Sequence, residues 1–208
     1  MAHTMRRRKY SPRRSREERR EQLLDAALNV IDAGGFSAFS IEAVAREADL
    51  AKTVVYATFG NQDELLRSLI GREQQRAFWA VTGALPKWPF GANPLEVLTE
   101  ALNAILHVVH QHPETWRLIL LAPEGAPPAI RASVDEARSA LTAAISPVVG
   151  WGLGRLELGH LDGDLAAHAL IAVGEQGIRL TLSDPEGYSP ERITAFASSL
   201  IATFLERR

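Results

Sequence analysis

From Arg16 onward the apolar residues recur at intervals of three and four, and no stretch alternates with the period of two that a half-buried strand requires. Such a chain can bury its apolar surface only by packing helix on helix. The first stripe, Leu23, Leu24, Ala27, Leu28 and Ile31, predicts a helix over 16–33 that stops at Gly34-Gly35. Ser40 is placed to cap a second helix of about two turns, with Ile41, Val44, Ala45 and Ala48 inward. After Asp49-Leu50 a third short helix over 51–58 turns Val55 and Phe59 inward. Asn61, with Glu64 at the third helical position, opens a long helix over 62–84. Asn93-Pro94-Leu95-Glu96 opens another, carrying Leu98, Leu102, Ile105, Leu106 and Val109 on one face.

His112-Pro113 breaks that helix, and a short one follows to Leu121. A loop over 123–128 precedes helical spacing from Ile130 through Val148. Five glycines over 150–163, with Trp151 among them, predict a further loop, including a flexible Gly150-Trp151-Gly152-Leu153-Gly154 connector. Asp162 or Asp164 then caps a helix to Ser183, and Ser189-Pro190-Glu191 opens a last one with Ile193, Phe196, Ala197, Leu200, Ile201 and Phe204 on its stripe. The expectation is an all-α chain of about nine helices without repeats of 20–50 residues.

At 46% hydrophobic and 23% charged residues the chain has the balance of a globular protein, not of a disordered or fibrous one. Apolar runs such as Ile105–Val109 fall well short of the roughly 18–20 residues needed to span a bilayer. With no cysteine there is no disulfide framework, thiolate metal site or cysteine nucleophile, and no signal peptide is legible, so a cytoplasmic location is expected. A P-loop, a nucleophile elbow and a zinc-protease helix are all missing from the sequence, and no enzymatic activity or cofactor is expected.

Charge is distributed unevenly. Residues 1–20 hold nine basic side chains against two acidic ones, whereas the remaining 188 residues carry a surplus of nine acidic charges, for a net of −2. A basic arm on an acidic body suits a chain of which one end meets a polyanion, although a solubilising tail has the same composition. The segment that follows the arm favours the first reading. Two short helices joined by a tight turn, set directly after an amphipathic helix, make a helix-turn-helix. Asp49 can take the left-handed turn position, if less readily than glycine, while Ala51 has no side chain with which to cap the next helix. With Val55 and Phe59 inward, Lys52, Thr53, Val54, Tyr56 and Ala57 are left outward or lateral. Thr and Val can touch a thymine methyl, and Lys and Tyr can reach phosphates. A plain solvent-facing helix in a bundle is the alternative.

Residues 16–66 resemble the N-terminal domain of the TetR family of transcriptional regulators. The resemblance rests on Leu24-Asp25-Ala26-Ala27-Leu28 with Gly34-Gly35-Phe36, on Ser40 through Ala48, and on Lys52 through Phe59 followed by Asp63-Glu64-Leu65-Leu66. The chain departs from the family at Asp49 and Thr53, where glycine is usual, at Ala51, where serine is, and at Ala57-Thr58 and Gln62. The resemblance implies an arm over 1–14, a DNA-binding domain over 15–66 and a ligand-binding and dimerisation domain over 67–208. It also implies a palindromic operator bound by a homodimer, as by a repressor that a small molecule releases. The DNA contacts then expected are Arg13, Arg14, Ser40, Lys52, Thr53, Val54, Tyr56, Ala57 and Thr58. The last two helices would form the dimer interface, with Ala169, Ala172, Gly177, Ile193, Phe196, Leu200 and Phe204 in it, although the same stripe could serve the chain's own core.

For a largely apolar effector, Phe78, Leu102, Leu106, Trp116, Leu120 and Leu141 are the expected lining and His168 a candidate polar group, equally a satisfied core histidine. Trp79, Trp88, Phe90 and Trp151 complete the aromatic cluster. His107 and His110 share a helix face near His112, but a helix C-terminus favours histidine for its dipole, and no metal is expected. A second reading is an all-α small-molecule-binding protein or enzyme with the helix-turn-helix only as scaffold.

Overall fold

The computed structural model describes residues 15–87, 91, 93–120 and 128–206. Among them lie nine α-helices, one 3₁₀ turn at Phe36–Ala38 and no strand. The helices are α1 (Arg16–Gly34), α2 (Ile41–Glu47), α3 (Lys52–Phe59), α4 (Gln62–Ala84), α5 (Pro94–Gln111), α6 (Pro113–Leu120), α7 (Pro128–Arg155), α8 (Gly163–Ser183) and α9 (Pro190–Glu206). No helix among the described residues is long and apolar enough to cross a membrane.

Local chemistry explains most of the boundaries. Ser15 and Glu18 form a reciprocal capping box on α1: the Ser15 hydroxyl accepts from the Glu18 amide at 3.1 Å, and the Glu18 carboxylate accepts from the Ser15 amide at 2.6 Å. Ser40, Asn61, Asn93 and Asp162 each accept from an amide in the first turn of α2, α4, α5 and α8. Gly34 has a steric reason to be glycine, because a Cβ there would lie 2.6 Å from that of Ala38.

Among the described residues two that are not glycine hold left-handed positions, and each ends a helix in the same way. At Asp49 (φ 52°) the Leu50 amide donates to the Ala45 carbonyl at 2.9 Å and the Asp49 amide to Arg46 at 3.2 Å. At Glu157 (φ 57°) the Leu158 amide donates to Leu153 at 2.8 Å and the Glu157 amide to Gly154 at 3.3 Å. Both are Schellman terminations, in which the bonds reaching five and three residues back satisfy the last carbonyls.

The second termination corrects the expected loop at 150–163. α7 runs through Gly150, Trp151, Gly152, Leu153 and Gly154 to Arg155, past an internal Pro147, so that the supposed flexible connector is helical. Each glycine costs a helix about 1 kcal/mol relative to alanine. Packing outweighs that cost: Val149 is buried, α7 packs on α8 and α4, and the site of a Gly152 Cβ lies 3.7 Å from Pro94. The true turn is residues 156–162.

Two apolar cores organise the molecule, and α4 serves both. The first joins α1, α2 and α3 with Leu65, Leu66, Leu69 and Ile70 of α4 and Leu118 of α6. The second joins Ala77 and Val81 of α4 with Leu106, Val109, Trp116, Ile178 and Leu182. A boundary drawn after Leu66 therefore falls inside α4, and the small domain shares its core with the helix that leaves it. On α5 the burial of Val97 and Ala101 extends the expected stripe by one row, beside fully buried Leu106 and Val109.

Candidate nucleic-acid interface

Val44 of α2 and Val55 of α3 have no exposed surface and Phe59 almost none, so the two short helices are locked against α1 by one rigid contact. Gln22 reinforces it by donating to the Ala48 carbonyl at 2.8 Å, and Arg20 lays its guanidinium 4.8 Å from the centre of the Phe59 ring. What α3 leaves outward is Lys52, Thr53, Tyr56 and Ala57, with Val54 and Thr58 half-buried. Tyr56 is 52% exposed on a helix that Val55 and Phe59 hold from behind. Thr58 spends its hydroxyl on the Val54 carbonyl at 2.8 Å, and Ser40 spends its own on capping α2. Ala51 gives α3 no side-chain cap. Arg13 and Arg14 lie outside the described residues.

Lys52 is not a free cation. It is ion-paired with Glu42 across the α2–α3 gap, a partnership that sequence spacing did not suggest. The Lys52 hydrogen bond and Glu42's own backbone hold the Glu42 carboxyl below the usual range.

A family model described as bacterial regulatory proteins, tetR family, matches residues 23–69, a segment that contains this whole two-helix unit. That segment is similar to the TetR family of bacterial regulatory proteins. The repressor KstR of Rhodococcus jostii is 34% identical over 99 residues, 48% of this chain and 44% of that protein. The chain thus matches less than half the length of this curated relative. A TetR-like regulator from Rhodococcus sp. RHA1 superposes with a TM-score of 0.70 at 28% identity, covering 95% of this chain and all of that one. FadR of Bacillus subtilis, solved with stearoyl-CoA, superposes with a TM-score of 0.70 at 16% identity over 86% of this chain and 96% of that one, a likeness of fold. The matched segment ends at residue 69, and the second part of the chain follows it.

In that second part Leu102, Leu106, Trp116, Leu120 and Leu141 do come together, in the second core. Phe78 is half-buried and meets Trp79 edge-on at 5.7 Å. His168 is a correction: it stands 55% exposed beside Asp164 at 3.9 Å, because it lies on the outer face of α8 rather than the face toward the core. Trp88 and Phe90 lie outside the described residues. Beside the cluster, Val109, His110, Pro113, Arg117, Thr181, Leu182 and Pro185 line a recess of about 90 Å³, well short of the roughly 300 Å³ at which drug-sized pockets begin. A broader open crevice of about 590 Å³ between α1 and α2 is lined by Glu17, Glu18, Glu21, Asp25 and Glu47, the wrong chemistry for an apolar effector.

Among the described residues no three His, Asp or Glu are grouped to hold a metal. The His107 ring Nδ1 instead meets the Asn103 carbonyl at 2.8 Å, with Nε2 3.4 Å from Glu191, and His112 lies 3.7 Å from Glu114.

Besides Asp164 and His168, the outward surface of α8 and α9 carries several exposed apolar side chains. Leu165 and Val173 are each 66% exposed and Phe196 65%, with Leu161, Leu200, Ala169 and Ala172 also outward. Gly177 and Ile193 are spent differently from the expectation. They pack α8 on α9 within the chain, the site of a Gly177 Cβ lying 3.5 Å from Ile193. The Phe204 side chain lies outside the described residues.

Between the two cores sits a charged joint that sequence reasoning missed. Glu73 of α4 is fully buried and accepts from Thr115 of α6 at 2.6 Å, from Arg72 at 2.7 Å and from Arg76 at 3.2 Å. Arg72 also reaches Glu21 and Asp25 of α1 at 2.9 and 2.7 Å. Burial works against the Arg72 charge, but Glu73, Glu21 and Asp25 outweigh it and keep its pKa above the usual value. Arg117 of α6 adds a contact to Asp32 of α1 at 2.9 Å. The signal was available: Glu73 stands at helical spacing from Leu66, Leu69, Ile70 and Ala77, and a carboxylate on an apolar stripe demands partners.

Proposed function

We propose that this chain is a dimeric, cytoplasmic transcriptional regulator, a repressor that leaves a palindromic operator when a small molecule binds its second domain. The observation that carries the reading is the exposed Lys52, Thr53 and Tyr56 face of a short helix held rigid by a complete core behind it. KstR is named a repressor, and FadR was solved with an acyl-CoA, which supports both halves of the proposal by analogy. No enzymatic step is needed by this reading.

Two protomers joined through the α8–α9 face would present two α3 helices to successive major grooves, about one DNA turn apart. The effector would enter the second core around Leu102, Leu106 and Trp116, which must open to admit it. α4 would act as the lever, since one end lies in each core and its middle is tied to α1 through Arg72 and to α6 through Glu73. For the ligand to release DNA it must bind the released shape more tightly, and DNA then weakens the ligand by the same factor.

Selection from random duplexes at two salt concentrations tests the proposal. It should return a two-fold symmetric site with half-sites about one turn apart. Binding that follows salt alone, with no preferred sequence, would leave phosphate contacts by a basic arm and no operator reading.

A further inference from the structure

Of the six side chains that face outward or sideways from α3, the single cation is already engaged. Lys52 and Glu42 are 53% and 62% exposed, on the first turns of adjacent helices, and they pair with each other. Such an exposed pair contributes little to folding. A carboxylate at this place also opposes the purpose of the surface, because any duplex that approaches α3 brings phosphates toward it. Glu42 remains ionised here: Lys52 and the N-terminus of α2, at whose second position it stands, both favour the charge.

Resting on the DNA-binding reading above, we propose that Glu42 is a specificity-determining residue that withholds Lys52 from sequence-independent phosphate binding. On a random duplex Lys52 can reach a phosphate only by leaving Glu42 bare beside the polyanion, so the pair stays closed and adds no net charge. On the operator the carboxylate takes a donor of its own, which in the major groove is the amino group of cytosine or adenine, and Lys52 is released to the DNA. Specificity gained by a penalty on the wrong partner is cheaper for a short helix than more contacts with the right one.

The test compares wild type, Glu42→Gln and Glu42→Gln with Lys52→Ala on the selected duplex and on scrambled duplexes, across a salt series. Glu42→Gln should bind scrambled DNA more tightly, with a salt slope steeper by about 0.9 per protomer. Its ratio of specific to non-specific affinity should fall about tenfold, with preference lost at one base pair of each half-site. The second substitution should return the slope to the wild-type value. Melting temperatures separate a folding defect from these effects. An unchanged ratio, an equal rise on both duplexes, or a steep slope that survives Lys52→Ala overturns the proposal. Failure of the wild type to select any site is a different result and counts against the DNA-binding reading itself.

Discussion

Replacing Lys52 and Tyr56 together with alanine is expected to abolish operator recognition while leaving the fold intact. Both side chains point outward from α3, and the helix is held from behind by Val55 and Phe59. Exposed substitutions of this kind change stability by about 0.5 kcal/mol or less, and alanine suits a helix better than tyrosine. Recognition is another matter. Specific binding is typically about 4–10 kcal/mol tighter than non-specific binding, and a dimer loses each contact twice. A fall of at least about a hundredfold on the selected duplex is therefore expected, with a melting temperature within a few degrees of wild type. Fluorescence anisotropy and thermal unfolding on one preparation measure both. A double variant that still binds the selected site as the wild type does would remove α3 from the interface.

Phe196→Glu with Leu200→Glu should convert the protein to a monomer. These residues face outward from α9, as Leu165 and Val173 do from α8, so the substitutions add two exposed carboxylates per chain without touching either core. In a two-fold interface the same patch meets itself, and four carboxylates would be brought together. Sedimentation should show half the wild-type mass. Operator affinity should drop by about 10²–10⁴, the advantage lost when the second half-site is no longer bound by a tethered partner. A variant that sediments as a dimer would place the interface elsewhere.

How far the sequence could be read depended on whether the physics was local. Caps at Ser40, Asn61, Asn93 and Asp162 were legible because the capping side chain and its amide lie within three residues. The inward pair Val55 and Phe59 was legible because helical spacing alone sets it. The end of α7 was not, since its left-handed residue is Glu157 rather than one of the nearby glycines, and only the packing of Val149 and Gly152 keeps the glycines helical. The site was legible as a list of outward residues and illegible as a set of pairs. Lys52 finds Glu42 ten residues away, and Glu73 finds Thr115 forty-two residues away, distances that no periodicity encodes. Gly177 and Ile193 look like the rest of the apolar stripe in sequence, and only the crossing of α8 and α9 assigns them to the inside.

In the proposed function, one dimer fixes two recognition helices about one DNA turn apart. Inserting five base pairs between the half-sites of the selected duplex rotates one of them by about half a turn, to the opposite face of the DNA. Binding of two protomers to the original site and a loss of at least about a hundredfold on the expanded site, followed by anisotropy at constant salt, is the predicted result. Equal affinity for the original and expanded duplexes would contradict a fixed dimer, because it would show each half-site to be read by an independent protomer.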